Sequence, residues 1–399
     1  MSLDIARIQS ALTAEKLDGW LLYDFRGTNA IAEGLVGLAG QHVTRRWFYF
    51  IPANGTPRKL NHAIESRKLD ALPGDKTIYA GRLQLVEGLK TILGGAHPAT
   101  TIAMEYSANN DIPYISRVDA GTVDLLRSLG KTIVSSGDLV GQFEAAWNAD
   151  DIATHVAASE KLYRIKDRAF AYVQAKLQAG IAIDEYTVQQ EMVKFFAEEG
   201  LIADNPPIVG AQENAGDPHY GPSREQSRAI RPNEILLLDL WGKLPTPGAV
   251  YADITWTGFT GDTIPEKYSK AFNTIVAGRD AAIDKVQAGI RSGAGVRGWE
   301  VDRVCRDVIT DAGFGEYFVH RTGHSLGIEV HGNGVHMDDY ETRDDRKLLT
   351  GTGFTIEPGI YTKEFGVRTE INMVVGPTDA TVTGPCQSEL LRMSGVKHV

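Results

Sequence analysis

Apolar residues change their spacing along the chain near position 150. Ahead of it they come in short unbroken runs. Trp20-Leu-Leu-Tyr23 and Trp47-Phe-Tyr-Phe-Ile51 have the length and aromatic content of buried strands. Pro52-Ala-Asn-Gly55 follows the second with turn-forming residues. Thr101-Ile-Ala-Met-Glu105 predicts a further strand, and a helix is expected across 123–129, stopping near Gly130. This stretch holds no cluster of His, Cys or carboxylates, so residues 1–150 are expected to be an N-terminal α/β domain without chemistry of its own.

Beyond that point the period becomes helical. Leu162, Ile165, Ala169, Val173 and Leu177 recur three or four positions apart, which predicts a long amphipathic helix closed by a left-handed Gly180. A second helix, about 185–199, carries Val188, Met192 and Phe195 on one face and ends at Gly200. The plan then returns. Tyr268, Phe272, Ile275, Ile283 and Val286 predict a helix from about Pro265 to a stop at Gly289. Val301, Val304 and Val308 predict another, from about Trp299 to Gly313. The exits of the two long helices match in letters, Gln178-Ala-Gly-Ile181 and Gln287-Ala-Gly-Ile290. Each helix pair is followed by a histidine segment and then by two acid-bearing strands. Two related halves, 151–260 and 261–399, are therefore expected within one α+β domain; the alternative is an ordinary alternation of helices and strands.

Composition narrows the function. The 399 residues suggest two domains. A formal charge of −10 argues against nucleic acid, which needs a basic face. The two cysteines, Cys305 and Cys386, lie far apart and are expected to be free thiols in a reducing compartment. Met-Ser-Leu-Asp-Ile-Ala-Arg at the start lacks the apolar core of a signal peptide. The longest apolar runs, such as Ile235–Leu238, are strand-sized, so no membrane helix is expected. A cytoplasmic enzyme is the natural expectation.

The chemistry lies in the acid-bearing strands. Glu234-Ile-Leu-Leu-Leu-Asp239-Leu-Trp turns through Gly242-Lys-Leu-Pro-Thr-Pro-Gly248 and returns as Val250-Tyr-Ala-Asp253-Ile-Thr-Trp. Phe354-Thr-Ile-Glu357 passes through Pro358-Gly359 and returns as Val367-Arg-Thr-Glu370-Ile-Asn-Met-Val-Val. The acids stand 14 positions apart in the first pair and 13 in the second. A buried, unpaired carboxylate costs several kcal/mol, so each needs a salt bridge, a polar edge or a metal. If the four converge, neighbours about 4 Å apart repel by roughly 4 kcal/mol at an effective dielectric of 20. Only Arg368 is near them in sequence. Two divalent cations would balance four carboxylates, which favours a dinuclear site.

Val319-His-Arg-Thr-Gly-His324-Ser-Leu-Gly-Ile-Glu-Val-His331-Gly lies between helix and hairpin in the second half. Its glycines allow close backbone approach. The first half has a counterpart in Asp217-Pro-His219-Tyr-Gly-Pro222. A lone histidine is usually structural; two in a glycine-spaced loop leave a metal or catalytic role open. His320 and His336 carry no separate argument and are taken as structural.

Together these residues resemble the pita-bread (M24-type) metallopeptidases, which include methionine aminopeptidase, Xaa-Pro aminopeptidase and prolidase (Xaa-Pro dipeptidase). The likeness rests on the Asp239 strand, Asp253-Ile-Thr, Gly323-His324-Ser-Leu-Gly, Val330-His331, Thr355-Ile-Glu357-Pro-Gly-Ile-Tyr361 and Val367-Arg-Thr-Glu370, in order across 151–399. The front domain is similar to the one preceding the catalytic domain of prolidases and Xaa-Pro aminopeptidases. The resemblance implies a creatinase/aminopeptidase-like pita-bread domain with pseudo-twofold halves. It implies that Asp239 chelates one metal, that Asp253 and Glu370 bridge two, and that His324 and Glu357 complete the second site. His219 and His331 would then reach the scissile carbonyl. Two departures stand out. The first hairpin is about three residues longer than usual, which is expected to enlarge its tip and leave both acids in place. Gly332 follows His331 where the family often has Glu, which puts a supporting acid there in doubt.

One imidazole and four carboxylates suit Mn²⁺ or Co²⁺, with Zn²⁺ or Fe²⁺ possible. A metal-bridging hydroxide is then the expected nucleophile, with Glu357 as proton acceptor. The family implies hydrolysis of the Xaa-Pro imide bond, most simply in dipeptides, and a homodimer. Arg368 either grips a substrate carboxylate or pairs with a ligand acid. Three other functions compete: an Xaa-Pro aminopeptidase on longer peptides, a metal-free creatinase-like amidinohydrolase, and an inactive binding protein on the same scaffold. The last two are expected to lose ligands that are all present here.

Overall fold

The apolar runs of the front portion become strands with two buried faces. In the computed structural model, which describes residues 3–94 and 99–396, β1 (Gly19–Asp24), β2 (Trp47–Pro52), β3 (Arg58–His62), β4 (Asp75–Tyr79), β5 (Thr101–Met104) and β6 (Thr132–Ser135) form one sheet in the order β4-β3-β2-β1-β5-β6. Alternation along β1 and β2 divides their side chains between two layers. Trp20, Leu22, Tyr49 and Ile51 pack with α1 (Ile5–Ala14), α2 (Ala30–Val36) and α5 (Gly137–Phe143). Leu21, Tyr23, Phe48 and Phe50 pack with α3 (Arg82–Leu93) and α4 (Ala120–Ser128). The helix expected at 123–129 is α4, capped by Asp119, and Gly130 beyond it is left-handed. Glu105 is fully buried, but Trp20 Nε1 (2.7 Å), Asn29 Nδ2 (2.8 Å) and Ser136 Oγ (3.0 Å) donate to its carboxylate. That is a structural knot, because both carboxylate oxygens accept from protein donors.

The chain divides between Glu144 and Ala145 into two compact units. The second begins with α6 (Ala149–Gln178) and α7 (Glu185–Glu199), followed by β7 (Ile208–Ala211), β8 (Ile235–Gly242) and β9 (Ala252–Phe259). The order of a long helix, a shorter helix and paired strands then recurs. It runs through α8 (Glu266–Arg291), α9 (Gly298–Asp311), β10 (Gly353–Ile356), β11 (Gly359–Tyr361), β12 (Gly366–Arg368), β13 (Ile371–Val375) and β14 (Ala380–Val382). β15 (Leu391–Arg392) returns to pair with β9. This is the pita-bread arrangement of two related halves. Asn148 caps α6 in a capping box, and left-handed Gly180 and Gly200 follow α6 and α7, as their spacing predicts.

The match in letters between the two long-helix exits does not carry into structure. α8 runs through Gly289 to Arg291, and the left-handed residue after it is Gly293. Gly289 instead serves packing, since a Cβ there would lie 3.0 Å from Val296 Cβ. No helix among the described residues is long and apolar enough to cross a membrane. Cys305, buried, and Cys386, exposed, are free thiols.

Each half of the second unit has its own core, and its strands divide their faces accordingly. Leu236, Leu238, Leu240, Ala252 and Ile254 pack under α6 and α7. Phe354, Ile356, Ile371, Met373 and Val375 pack under α8 and α9. The alternate positions of the first pair, β8 and β9, face away from its core, and Asp239 and Asp253 stand there; Glu357 and Glu370 lie just outside β10 and β13.

Candidate metal centre

In the first hairpin, β8 and β9 pair with Asp239 opposite Thr255 and Trp241 opposite Asp253. Cross-strand partners share a face, so Asp239, Trp241, Asp253 and Thr255 form one row. The lengthened tip, 243–251, lies beyond this ladder and leaves its register intact.

The second hairpin is interrupted. Ile356 pairs with Ile371 and Gly359 with Arg368, a single continuous register, but the ladder lapses over 357–358 and 369–370. The two glutamates stand at that gap, just outside β10 and β13 and not within a strand. Their backbones bond elsewhere: Glu357 N–H donates to Thr322 O (2.7 Å) and Glu370 N–H to Thr255 O (3.1 Å). The gap therefore joins the second hairpin to the first and to the histidine segment.

That segment lies along β10 as an added strand. Thr355 N–H donates to His324 O, Leu326 N–H to Gly353 O, and Ser325 bridges to Phe354. The close approach allowed by Gly323 is to protein, since a Cβ there would lie 2.0 Å from Thr355 O. Asp302, fully buried in α9, accepts from Thr322 N (2.9 Å) and Thr322 Oγ1 (2.7 Å) and fixes the segment's start. Gly332 is packed on Ser325 and Leu326, where a side chain would meet atoms at 3.0–3.2 Å.

Among the described residues, Asp253, His324 and Glu370 form a buried group whose ligand atoms lie within 4.8 Å of one another. His324 Nε2 is 3.6 Å from Asp253 Oδ2 and 3.4 Å from Glu357 Oε1. Its Nδ1 faces Ser325 O at 3.1 Å, which assigns the proton to Nδ1 and turns the Nε2 lone pair toward the acids. Asp253 Oδ1 is buried without a hydrogen-bond partner. An inward imidazole lone pair, clustered carboxylate oxygens and an orphaned buried oxygen fit a divalent cation.

Burial comes first in raising all four carboxyl pKa values. Asp253 is pushed well above the usual range, with Glu370, Asp239 and Glu357 adding to it. Glu370 is likewise pushed well up, by Glu357 and Asp239 after burial. Asp239 is raised against the lowering pull of Arg368. Glu357 is pushed up to about 7, with Arg368 opposing burial and Asp239 reinforcing it. Burial also takes His324 well below its ordinary value, so its imidazole is neutral. Such a cluster needs protons or cations.

A stability prediction follows for the cation-free protein. Carboxyls whose folded pKa exceeds the unfolded one contribute stability that is complete below the unfolded value and lost as pH rises through the folded one. Histidines lowered by burial contribute the opposite slope below about pH 6.5, so with Glu357 at about 7 the melting temperature of chelated protein should fall between about pH 6.5 and about pH 8. Added divalent cation should remove that decline. A melting temperature that rises over the same range without cation would contradict the arrangement.

Arg368, 4% exposed, faces Asp239, with NH2 2.5 Å from Asp239 Oδ2. Its Nε donates to Thr255 Oγ1 (2.9 Å) and its NH1 to Tyr361 OH (3.0 Å). Of its two readings from sequence, this is the geometry of pairing with a ligand acid. His219 and His331 are both exposed. His219 acts electrostatically on Asp239 and on His331, and the His331 ring stands edge-on to His324 with centroids 4.3 Å apart.

Several participants escaped the sequence reading. Thr255 Oγ1 donates to Glu370 Oε2 (2.8 Å), and Thr355 Oγ1 to Glu357 Oε1 (3.1 Å). Asn372 accepts from Asp253 N (3.0 Å) and donates to Asp253 O (2.5 Å), tying the hairpins together. His320 Nε2 meets Tyr361 OH at 2.7 Å and extends the Asp239–Arg368–Tyr361 chain. The available signal was period two: Thr255 and Thr355 each lie two positions from an acid in a buried strand.

The model of metallopeptidase family M24 matches residues 157–377, more than half of the chain. Over 371 residues the chain is 28% identical to the probable dipeptidase PepE of Mycobacterium bovis, a match spanning 90% of this chain and 88% of that protein. Over 165 residues it is 39% identical to the Xaa-Pro dipeptidase of Lactobacillus delbrueckii subsp. lactis, spanning 41% of this chain and 40% of that protein. The crystal structure of dipeptidase PepE from Mycobacterium ulcerans is similar over 98% of this chain and 97% of that one, with a TM-score of 0.69 at 26% identity.

Proposed function

This chain belongs to metallopeptidase family M24, and from that premise we propose that it hydrolyses the Xaa-Pro bond of small peptides, dipeptides foremost, with two divalent cations held by Asp239, Asp253, His324, Glu357 and Glu370. The observation that carries this is the gathering of Asp253, Glu370 and half-buried Glu357 around one neutral imidazole, with Asp239 acting on these acids and paired to the Arg368 guanidinium. Asp253 and Glu370 would be the shared ligands, Asp239 would serve one cation, and His324 and Glu357 would serve the other. The oxygen-rich donor set suits Mn²⁺ or Co²⁺. When bound, the cations supply water activated at neutral pH and polarisation of the scissile carbonyl.

The chain's own residues do the rest. Glu357, pushed up to about 7 by burial, takes and returns a proton at its carboxylate near neutral pH. Although His331 keeps an exposed edge, partial desolvation of its ring, with Arg321 adding to it, lowers it to about 4, so its imidazole is neutral at pH 7 and can donate one N–H to the carbonyl oxygen as charge develops. His219, whose charge acts on Asp239, would contact the substrate. Arg368 favours the ionised form of Asp239 against burial and holds it in place. The proline preference rests on the Xaa-Pro relative and on substrate chemistry. A bond to proline has no N–H for general peptidases to grip.

The test is a metal-reconstituted assay. Activity should be lost to a chelator and return best with Mn²⁺ or Co²⁺, and Ala-Pro should be cleaved faster than Ala-Pro-Ala or a Met-initiated tripeptide. Turnover insensitive to chelation would overturn the metal reading. Faster cleavage of Ala-Pro-Ala would make the enzyme an Xaa-Pro aminopeptidase.

A further inference from the structure

The acid row of β8 does not end at Asp239. Trp241, two positions on and opposite Asp253, stands on the same face, roughly 7 Å farther along the strand. Its indole Nε1 donates to Asp204 Oδ1 at 2.6 Å, and Asn205 N–H donates to the same oxygen at 3.0 Å. Among the described residues, Asp204 Oδ2 accepts no side-chain or backbone hydrogen bond and the carboxylate makes no ion pair. The group is exposed, and its charge is felt by both His331 and Tyr251. It therefore lies on the His331 side of the candidate metal centre. Glu329, also exposed, acts on Tyr251 from the histidine segment. Of the nearby cations, Lys243 is turned to Ile328 O (2.6 Å) and the Tyr251 ring (4.8 Å), and Arg321, which acts on His331 more strongly than Asp204 does, is buried.

We propose that Asp204, braced by Trp241, selects a cationic side chain, lysine or arginine, at the first position of the substrate. This deepens the peptidase reading above and rests on it. Reach decides which substrate charge Asp204 meets. With the scissile carbonyl at the acids, the substrate's α-ammonium lies roughly 1.5 Å from its own Cα and cannot pass Trp241. An extended lysine side chain spans roughly 6 Å from Cα, close to the distance from Asp239 to Trp241. The indole face offers a wall for the aliphatic stem and a cation–π contact for its end. Asp204 Oδ2 then supplies the anionic partner, and Oδ1 stays with the indole.

The experiment compares kcat/KM for Lys-Pro, Ala-Pro and Glu-Pro on the metal-loaded full chain and on its Asp204→Asn and Asp204→Glu variants. Asparagine keeps the acceptor for Trp241 Nε1 and removes only the charge. The parent should favour Lys-Pro over Ala-Pro by about fivefold to tenfold, mostly in KM. That ratio should shrink as ionic strength rises. It should fall to about one in Asp204→Asn and survive in Asp204→Glu. Hydrolysis of Ala-Pro by a parent with no preference for Lys-Pro overturns this inference alone. So does a preference that Asp204→Asn retains. Failure to cleave any of the three peptides overturns the peptidase reading and this inference together.

Discussion

Glu370→Ala should abolish turnover, with kcat/KM falling by at least about four orders of magnitude, or about 5 kcal/mol of transition-state stabilisation. No other position combines so many constraints. Glu370 is 2% exposed, accepts from Thr255 Oγ1, anchors its own backbone on β9, and belongs to the one three-residue ligand group among the described residues. With Glu370 in the proposed role of shared ligand, its loss should lower bound metal as well as activity. The same change removes a repelling charge from Asp253, since Glu370 is the first electrostatic cause after burial of that residue's raised pKa. The cation-free variant should therefore melt no lower than the cation-free parent near neutral pH, while losing the gain in melting temperature that added cation gives the parent. Elemental analysis is the decisive measurement. A variant retaining two metals per chain would remove Glu370 from the site.

Gly323→Ala should be nearly as damaging by a different route. The added Cβ would lie 2.0 Å from Thr355 O and 2.7 Å from Thr355 C. Both are backbone atoms of β10, which is held between β13 and the histidine segment. Neither can yield without breaking the Thr355 N–H to His324 O bond. Overpacking against side chains typically costs about 1–3 kcal/mol, and rigid backbone places this case at or above the upper end. For a folding unit of this size that corresponds to a fall in melting temperature of roughly 6–10 °C. Metal affinity should fall too, because His324 is the next residue. Differential scanning calorimetry and metal titration check the two effects. Parental melting temperature and affinity together would show that the segment is not held against β10.

Much of this architecture was legible in the amino acids. Helical periodicity and left-handed glycines located α6 and α7, and leucine runs broken by an acid located β8. The meeting of Asp253, His324 and Glu370 was legible because carboxylates in apolar surroundings demand a common explanation. Other features were not local. Whether Gly289 ends a helix or lies inside one depends on Val296, which approaches it from the following turn. The lapse in the second ladder depends on Thr322 and Thr255, segments distant in the chain that offer better acceptors than the opposite strand. Thr255, Thr355 and Asn372 are ordinary strand residues until the hairpins meet. Arg368 could be given either role until its guanidinium was seen turned to Asp239.

Alternation in β8 and β10 also bears on how such a protein can change over time. Neighbouring positions within a single strand answer to separate selective demands: Leu238 to oily contacts under the helices, Asp239 to reactivity. Drift among aliphatic residues on one side can proceed without disturbing the other. Lineages can thus diverge widely in their interiors while the reactive row persists, and new substrate tastes can arise at the rim, by changes such as those around Trp241, with no need to rebuild the scaffold.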